Sequence, residues 1–331
     1  MADFETLDAR LPRDRFRPLP RPAVPGGRER RIGVEIEFSG LTETAAADIV
    51  ARLWGGTVAR PAPHVRTVED GRLGAIEVEL DTALERRAGS GLADRLLDLS
   101  REVVPVEIVT PPLVPDDLPE IERLLGALQE AGARGSEEGV LFAFGIHLNP
   151  EVADETAEAI VPVARAFGFV EQWLRASAPP DLSRRLLPFI DPRPRGFVDR
   201  LAAEAADWGL EALRDAYSEL VGSRNHGLDL LPLLAHLFPD RVRAALPEDA
   251  VKSPRPAWHY RLPRTGLGAP GWSFGCEWNR WVLVERIAAD DVLLRRLGEA
   301  WTEHRSALTT IRPDWAHDVN DILAEAEIWG D

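Results

Sequence analysis

Ile32-Gly33-Val34-Glu35-Ile36-Glu37-Phe38 alternates apolar and acidic side chains. Successive side chains of a strand point to opposite faces, so this run puts Glu35 and Glu37 on one face and Val34, Ile36 and Phe38 on the other. Three later runs repeat the pattern. In residues 76–81, Glu77, Glu79 and Asp81 align opposite Ile76, Val78 and Leu80. In 104–110, Glu107 projects opposite Val106 and Ile108. In 142–149, His147 and Asn149 share a face with Ala143 and Gly145, and the other face is apolar. Any one such strand is ordinarily the water-facing side of an antiparallel sheet. Four together make a different case, because like charges opposite one another destabilise a sheet. Divalent cations remove that objection, and hard cations take oxygen ligands, with phosphate as co-ligand. The small Ala143 and Gly145 leave room for a ligand at the sheet floor. The expectation is a concave, acid-lined sheet that holds metal ions.

Working outward, residues 1–30 are rich in Arg and Pro and lack apolar periodicity. They read as an extended or disordered arm, either a strap or lid or a solvated tail. Residues 31–150 read as strand-rich, with helices at 44–54, stopped by Gly55-Gly56, and at 116–132. Short strands are expected near 57–60, 65–69, 74–80, 103–109 and 140–148. From 151 to 331 the pattern turns helical, at 153–176, 197–221, 228–237, 290–310 and 317–329. Aromatic-rich stretches near 257–262 and 272–284 are read as possible returns to the sheet. Strands grouped early and helices grouped late point to α+β, with a mainly antiparallel sheet and one domain over 31–331.

Composition narrows the function. The 331 residues carry 39 basic and 55 acidic side chains, a net charge of -16. Such a surface repels nucleic acid and anionic membrane, so neither is an expected partner. The single cysteine, Cys276, excludes an intrachain disulfide and any Cys-clustered metal site. No apolar run of about 18 residues is long enough to span a bilayer, and the first residues lack an apolar signal core. A cytoplasmic protein is expected. Lys252 is the one lysine, and Val251-Lys252-Ser253-Pro254 lacks the glycines of a phosphate-binding loop. Phosphate, if handled, falls to arginine and metal.

The motifs Gly33–Phe38, Asp81-Thr-Ala-Leu84, Val106-Glu-Ile-Val-Thr-Pro-Pro-Leu113 and Gly145-Ile-His-Leu-Asn149 stand in one order along the chain. In that order they resemble the amidoligases, relatives of glutamine synthetase and glutamate–cysteine ligase. Asn225-His-Gly-Leu-Asp-Leu-Leu-Pro-Leu233 and His259-Tyr-Arg-Leu-Pro263 extend the likeness more loosely. The resemblance implies a glutamine-synthetase-like half-barrel with helices on its apolar face, ATP, and two or more Mg²⁺ or Mn²⁺ ions bridging phosphates to carboxylates. By position it makes Glu35, Glu37, Asp81, Glu107 and His147 metal ligands. His147, Asn149 and Arg264 become nucleotide-side residues, and Glu107 and Arg261 catalytic ones. Asn149 departs from the family's usual second histidine, which bears on the nucleotide contact at that strand.

The implied chemistry is amide formation between a small-molecule or peptide carboxylate and an amine. A carboxylate is a poor electrophile at neutral pH; phosphorylation by ATP gives an acyl phosphate that an amine can attack. Phosphoryl transfer needs positioning and charge neutralisation, which metals and arginines supply without a catalytic lysine. A metallohydrolase using the same Glu/His cluster, or a non-catalytic relative binding a nucleotide or metabolite, remains open. Several residues have both a structural and a functional reading. Cys276 is a nucleophile beside His259 or a small buried apolar side chain. The run Trp258, Tyr260, Trp272, Phe274, Trp278, Trp281 stacks a purine or fills the core. Glu277 and Arg280 add a metal ligand and a phosphate contact, or neither. His226, His236, His304 and His317 are read as structural.

Overall fold

The computed structural model describes residues 10–80, 105–135, 144–177, 190–245, 253–307 and 312–328. The Ile32–Phe38 run is β1, and its burial alternates as its sequence does. It lies inside an eight-stranded open sheet of order β2-β3-β4-β5-β1-β6-β8-β7, every neighbouring pair antiparallel. The other strands are β2 (Thr57–Ala62), β3 (Val65–Glu69), β4 (Ile76–Leu80), β5 (Val106–Val109), β6 (Ile146–Pro150), β7 (Leu228–Asp229) and β8 (His259–Tyr260). The two short strands β7 and β8 come from the helix-rich half and complete the sheet beside β6, so both halves of the chain build one surface.

Register follows from alternation, since a slip of one residue would turn the acidic set into the core. Val34, Ile36, Phe38, Val78, Ile108 and Leu148 sit fully buried in a single core shared with the helices. Helix α1 (Glu43–Trp54) starts at Thr42, whose side chain accepts from the Ala45 amide. It stops at Gly55, φ 77°, followed by Gly56, φ 97°, where a Cβ would lie 2.4 Å from the Glu69 carbonyl oxygen. Only glycine fits that turn into β2. Helix α2 (Leu118–Glu130) buries Leu118, Ile121, Leu124, Leu125 and Leu128, the 3.6-residue stripe of its sequence.

The second half is helical: α3 (Ala157–Ser177), α4 (Arg195–Ala203), α5 (Leu210–Leu220), α6 (Leu231–Leu237), α7 (Pro239–Ala245), α8 (Phe274–Ala288), α9 (Asp291–Ser306) and α10 (Arg312–Glu325). Three expectations are corrected. The helix expected over 197–221 is two, separated by a 3-10 turn at Ala205–Asp207 and by Gly209, which is the N-cap of α5. Residues 228 and 229 belong to β7 rather than to a helix, because Leu228 pairs with Tyr260 and Asp229 with His259. Residues 274–284 form most of α8 rather than a strand. Ser273 caps that helix by accepting from the Cys276 amide. Buried on nearly every side, α8 has no polar stripe to reveal its period, and its aromatic content mimics strand preference.

Residues 10–31 form a strap whose 12–17 stretch bonds to α8 and whose 23–29 stretch folds back in a turn, Ala23 bridging to Glu29. Asn279 donates to the carbonyls of Pro12 (2.8 Å) and Arg15 (2.7 Å) and accepts from the Arg17 amide (3.0 Å). Leu11 and Leu19 enter the core. Arg30, 1% exposed, forms a two-pronged pair with Glu285 at 2.7 Å on both prongs. Prolines favour the strap's extended stretches, and its last residues bond to Glu151 just beyond β6, whose amide donates to the Arg31 carbonyl at 2.8 Å and whose side chain pairs with Arg28 at 2.6 Å.

Candidate active site

The pairing register decides which acidic residues meet. Glu37 of β1 stands opposite Glu107 of β5, and Glu107 in turn stands opposite Glu79 of β4. Three carboxylates thus form one row across three adjacent strands. One step along β1, Glu35 stands opposite His147 of β6, and Gly33 opposite Asn149. The pairing of Leu148 with Tyr260 carries the face onto β8, where His259 and Arg261 share parity, and then onto Asp229 of β7.

Carboxylates and imidazoles alternate through this face. Asp229 Oδ2 lies 3.3 Å from His259 Nδ1, and His259 Nε2 lies 3.7 Å from Glu35 Oε2. Glu35 Oε2 lies 2.8 Å from His147 Nδ1, and His147 Nε2 lies 3.9 Å from Glu37 Oε1. Burial pushes the Glu35 carboxyl up, but the hydrogen bond with His147 and the nearness of the His147 and His259 rings prevail and hold it well below its ordinary value. Burial likewise pushes the His147 imidazolium down, outweighing its attraction to Glu37 and Glu35. A neutral His147 facing an ionised Glu35 donates Nδ1–H to it. That tautomer leaves the Nε2 lone pair towards Glu37, the arrangement in which a histidine ligates a cation while a carboxylate orients its ring.

Among the described residues, two groups bring ligand atoms within 4.8 Å of one another: Glu37, Glu107 and His147, and Glu35, His147 and His259. The first offers two carboxylates and an imidazole, a set suited to a hard divalent ion. In the second, His259 Nε2 is buried with no hydrogen-bond partner, beside a Glu35 carboxylate that Arg255 also approaches at 3.3 Å. The first group therefore fits a metal ion of the kind the resemblance implies. Gly145 supports the first group by donating its amide to Glu37 Oε2 at 2.9 Å.

The other expected residues are placed as follows. Asn149 donates to Glu35 Oε1 at 3.0 Å and accepts from Arg255 at 2.6 Å. Arg261 lies on β8's continuation beside His147, its guanidinium donating to the Arg224 carbonyl at 2.5 Å. Its charge helps lower His147. Arg264 pairs with Gly145 after a one-residue register shift beyond Tyr260. Asp81 and Ala143 lie outside the described residues. The aromatic run belongs mainly to the core, where Trp281 packs on Trp258 (5.9 Å) and Tyr260 (5.4 Å). Cys276 is buried in α8. Glu277 and Arg280 pair with each other on α8 at 2.7 Å rather than reaching the face from a strand.

Four members of the face were not among the expected site residues. His259 shares parity with Arg261, which was signal enough. Glu79 shares parity with Asp81, but only the register reveals its place opposite Glu107. Asp229 lay in a run read as helix. Arg255, in Ser253-Pro-Arg-Pro256, carries no pattern at all.

Residues 28–283 match the family described as "Putative amidoligase enzyme". The chain belongs to that family. The match runs from the end of the strap through β8 into α8, and so includes every residue of the acidic face. No curated protein and no solved structure matches the chain. Among the described residues, no helix is long and apolar enough to cross a membrane.

Proposed function

We propose that this amidoligase-family member is an ATP-dependent carboxylate–amine ligase that works through an acyl-phosphate intermediate with Mg²⁺ or Mn²⁺. The observation that carries the reading is the convergence of Glu37, Glu107 and His147 on one point of a sheet face that also presents arginines. The sheet would curve there as in a glutamine-synthetase-like half-barrel, with ATP over the acidic face. Bound divalent ions would supply charge neutralisation at the transferring phosphoryl group. Glu37, Glu107 and His147 would hold such an ion, with Glu35 behind His147 fixing its ring, and Asp81 as a further expected ligand. Arg261 and Arg264, set on the β8 side, would bind the phosphate and the substrate carboxylate, a job suited to a planar guanidinium. Asn149 would face the nucleotide side. A small-molecule or peptide acid and an amine are the substrates, and the cytoplasm the expected compartment.

The test follows the oxygen. With an ¹⁸O-labelled acid, divalent metal, ATP and an amine, the released phosphate should carry label and ADP should appear. Amide formed without label in phosphate would rule out the acyl-phosphate route. Hydrolysis of an amide substrate with metal alone would favour the metallohydrolase. Binding of ATP without turnover over a broad acid–amine panel would favour the non-catalytic relative.

A further inference from the structure

Arg255 reaches the acidic face from outside any strand. Its Nη2 donates to Asn149 Oδ1 at 2.6 Å and lies 3.3 Å from Glu35 Oε1. Asn149 closes the triangle by donating to the same Glu35 oxygen at 3.0 Å. The other oxygen, Oε2, faces His147 Nδ1 at 2.8 Å and His259 Nε2 at 3.7 Å. Both oxygens of Glu35 are thus served by protein donors, and its one negative charge already has a guanidinium beside it.

The two candidate ligand groups also differ in their number of carboxylates. Glu35, His147 and His259 contain one carboxylate, matched by Arg255; the Asp229 carboxylate stands behind His259. Glu37, Glu107 and His147 contain two carboxylates, with Glu79 opposite Glu107. A divalent ion entering the first group would sit beside a fixed positive charge. His147 also cannot serve both groups equally, since Nδ1 is at hydrogen-bond distance from Glu35 and only Nε2 is turned to Glu37.

We propose that Arg255, held by Asn149, is a resident cation that takes the place of a second divalent ion at Glu35. Of the two groups among the described residues, the one that then loads an ion is Glu37, Glu107 and His147. Glu35 orients His147 and does not ligate. This rests on the metal-dependent reading above and sharpens it, since the resemblance implies two or more ions. Arg255 is a positioning residue here, fixing charge and geometry through Glu35.

Ion counting tests this without turnover. Mn²⁺ is titrated into the full-length protein, with bound ions counted by calorimetry and by electron paramagnetic resonance of free Mn²⁺. Wild type should bind one ion per chain. Arg255→Met should bind two, and Arg255→Lys, which keeps the charge, should bind one. Glu35→Gln should still bind one, with affinity weakened by about 10–100-fold, the usual effect of losing a group that orients a ligand. Thermal melts of each variant show whether it is folded, and if Arg255→Met fails to fold, wild type and Glu35→Gln still decide. Two ions in wild type, or a loss of the only ion in Glu35→Gln, overturns the inference while leaving the ligase reading intact. One ion in a folded Arg255→Met also overturns it. No ion in wild type overturns both the inference and the metal-dependent ligase.

Discussion

Glu37→Gln separates cation binding from folding. Gln keeps an oxygen to accept the Gly145 amide, which bonds Glu37 Oε2 at 2.9 Å, and it removes a charge that faces Glu107 across the β1–β5 pair. Relief of one directly opposed like-charge pair is worth about 0.2–1 kcal/mol, so the ion-free variant should be as stable as wild type or slightly more stable. Unfolding entropy near about 2.1 cal/mol/K per residue amounts to roughly 0.7 kcal/mol/K for a chain of this length, so Tm should rise by at most ~1.5 °C. Cation binding behaves oppositely. At a Mn²⁺ concentration of about 100 Kd, a native-state site adds ~2.7 kcal/mol, or ~4 °C on the same scale. A divalent ion at about 2.1 Å from a carboxylate gains ~4 kcal/mol even at the dielectric of water, so losing one charged ligand should weaken binding by at least ~100-fold. At the same Mn²⁺ concentration, roughly 0.4 kcal/mol then remains, a rise of ~0.6 °C. The assay is a pair of calorimetric melts for each protein, in chelator and in Mn²⁺. An undiminished Mn²⁺ rise in Glu37→Gln would show that the ion binds elsewhere, and a fall of several degrees in chelator would show that Glu37 serves the fold.

Arg30→Met should destabilise the protein by about 3–5 kcal/mol in urea unfolding, because it leaves Glu285 buried without its cation. Adding Glu285→Leu should restore most of that loss, and failure to do so would show that the strap does not depend on this pair. Burial pushes His226 down from its ordinary value, with Arg193 adding to the effect. The unfolded chain therefore binds the proton more readily, and stability should fall as pH drops below about 6.5. The fall should be shallower in His226→Gln, and identical slopes would exclude the residue as a source. Gly56→Ala should cost about 1–3 kcal/mol, as positive φ and the close approach of the Glu69 carbonyl both exclude a side chain; an unchanged melt would refute the tight α1–β2 turn.

The strands and their faces were legible because alternation is a local property. Glu35 and Glu37 oppose Val34, Ile36 and Phe38 whatever the strand pairs with, and the structure keeps that division. Helices with one wet face were legible for the same reason, as in α2. The signal failed where burial is complete. In α8, Phe274, Trp278 and Trp281 are all buried and the polar residues among them are buried as well, so no period survives. It failed again at β7, which is two residues long and exists because β8 offers an edge to pair with, whereas β8 lies within the aromatic-rich 257–262 stretch read as a return to the sheet.

The candidate site divides along the same line. Residues on long alternating strands were identified one by one, but which of them meet is fixed by register, and register is a property of pairs. Glu79 and Asp81 are equivalent by alternation, and only the pairing of β4 with β5 sets Glu79 across from Glu107. Asp229 and His259 meet through the two-residue ladder of β7 and β8, so neither run alone announces the contact. Arg255 is the extreme case, for its place beside Glu35 follows from no periodicity of its own. Its backbone amide donates to the Pro232 carbonyl at 3.1 Å, and Val152 donates to Pro256 at 2.9 Å, which together hold the Ser253–Pro256 segment against the end of β6. A prolyl-rich loop fixed at both sides can deliver a guanidinium to a carboxylate that lies 220 positions earlier. In a chain with one lysine among 39 basic residues, that fixed charge is an arginine, whose Nη2 alone meets both Asn149 and Glu35 while Nη1 donates to the Ser253 carbonyl of its own loop.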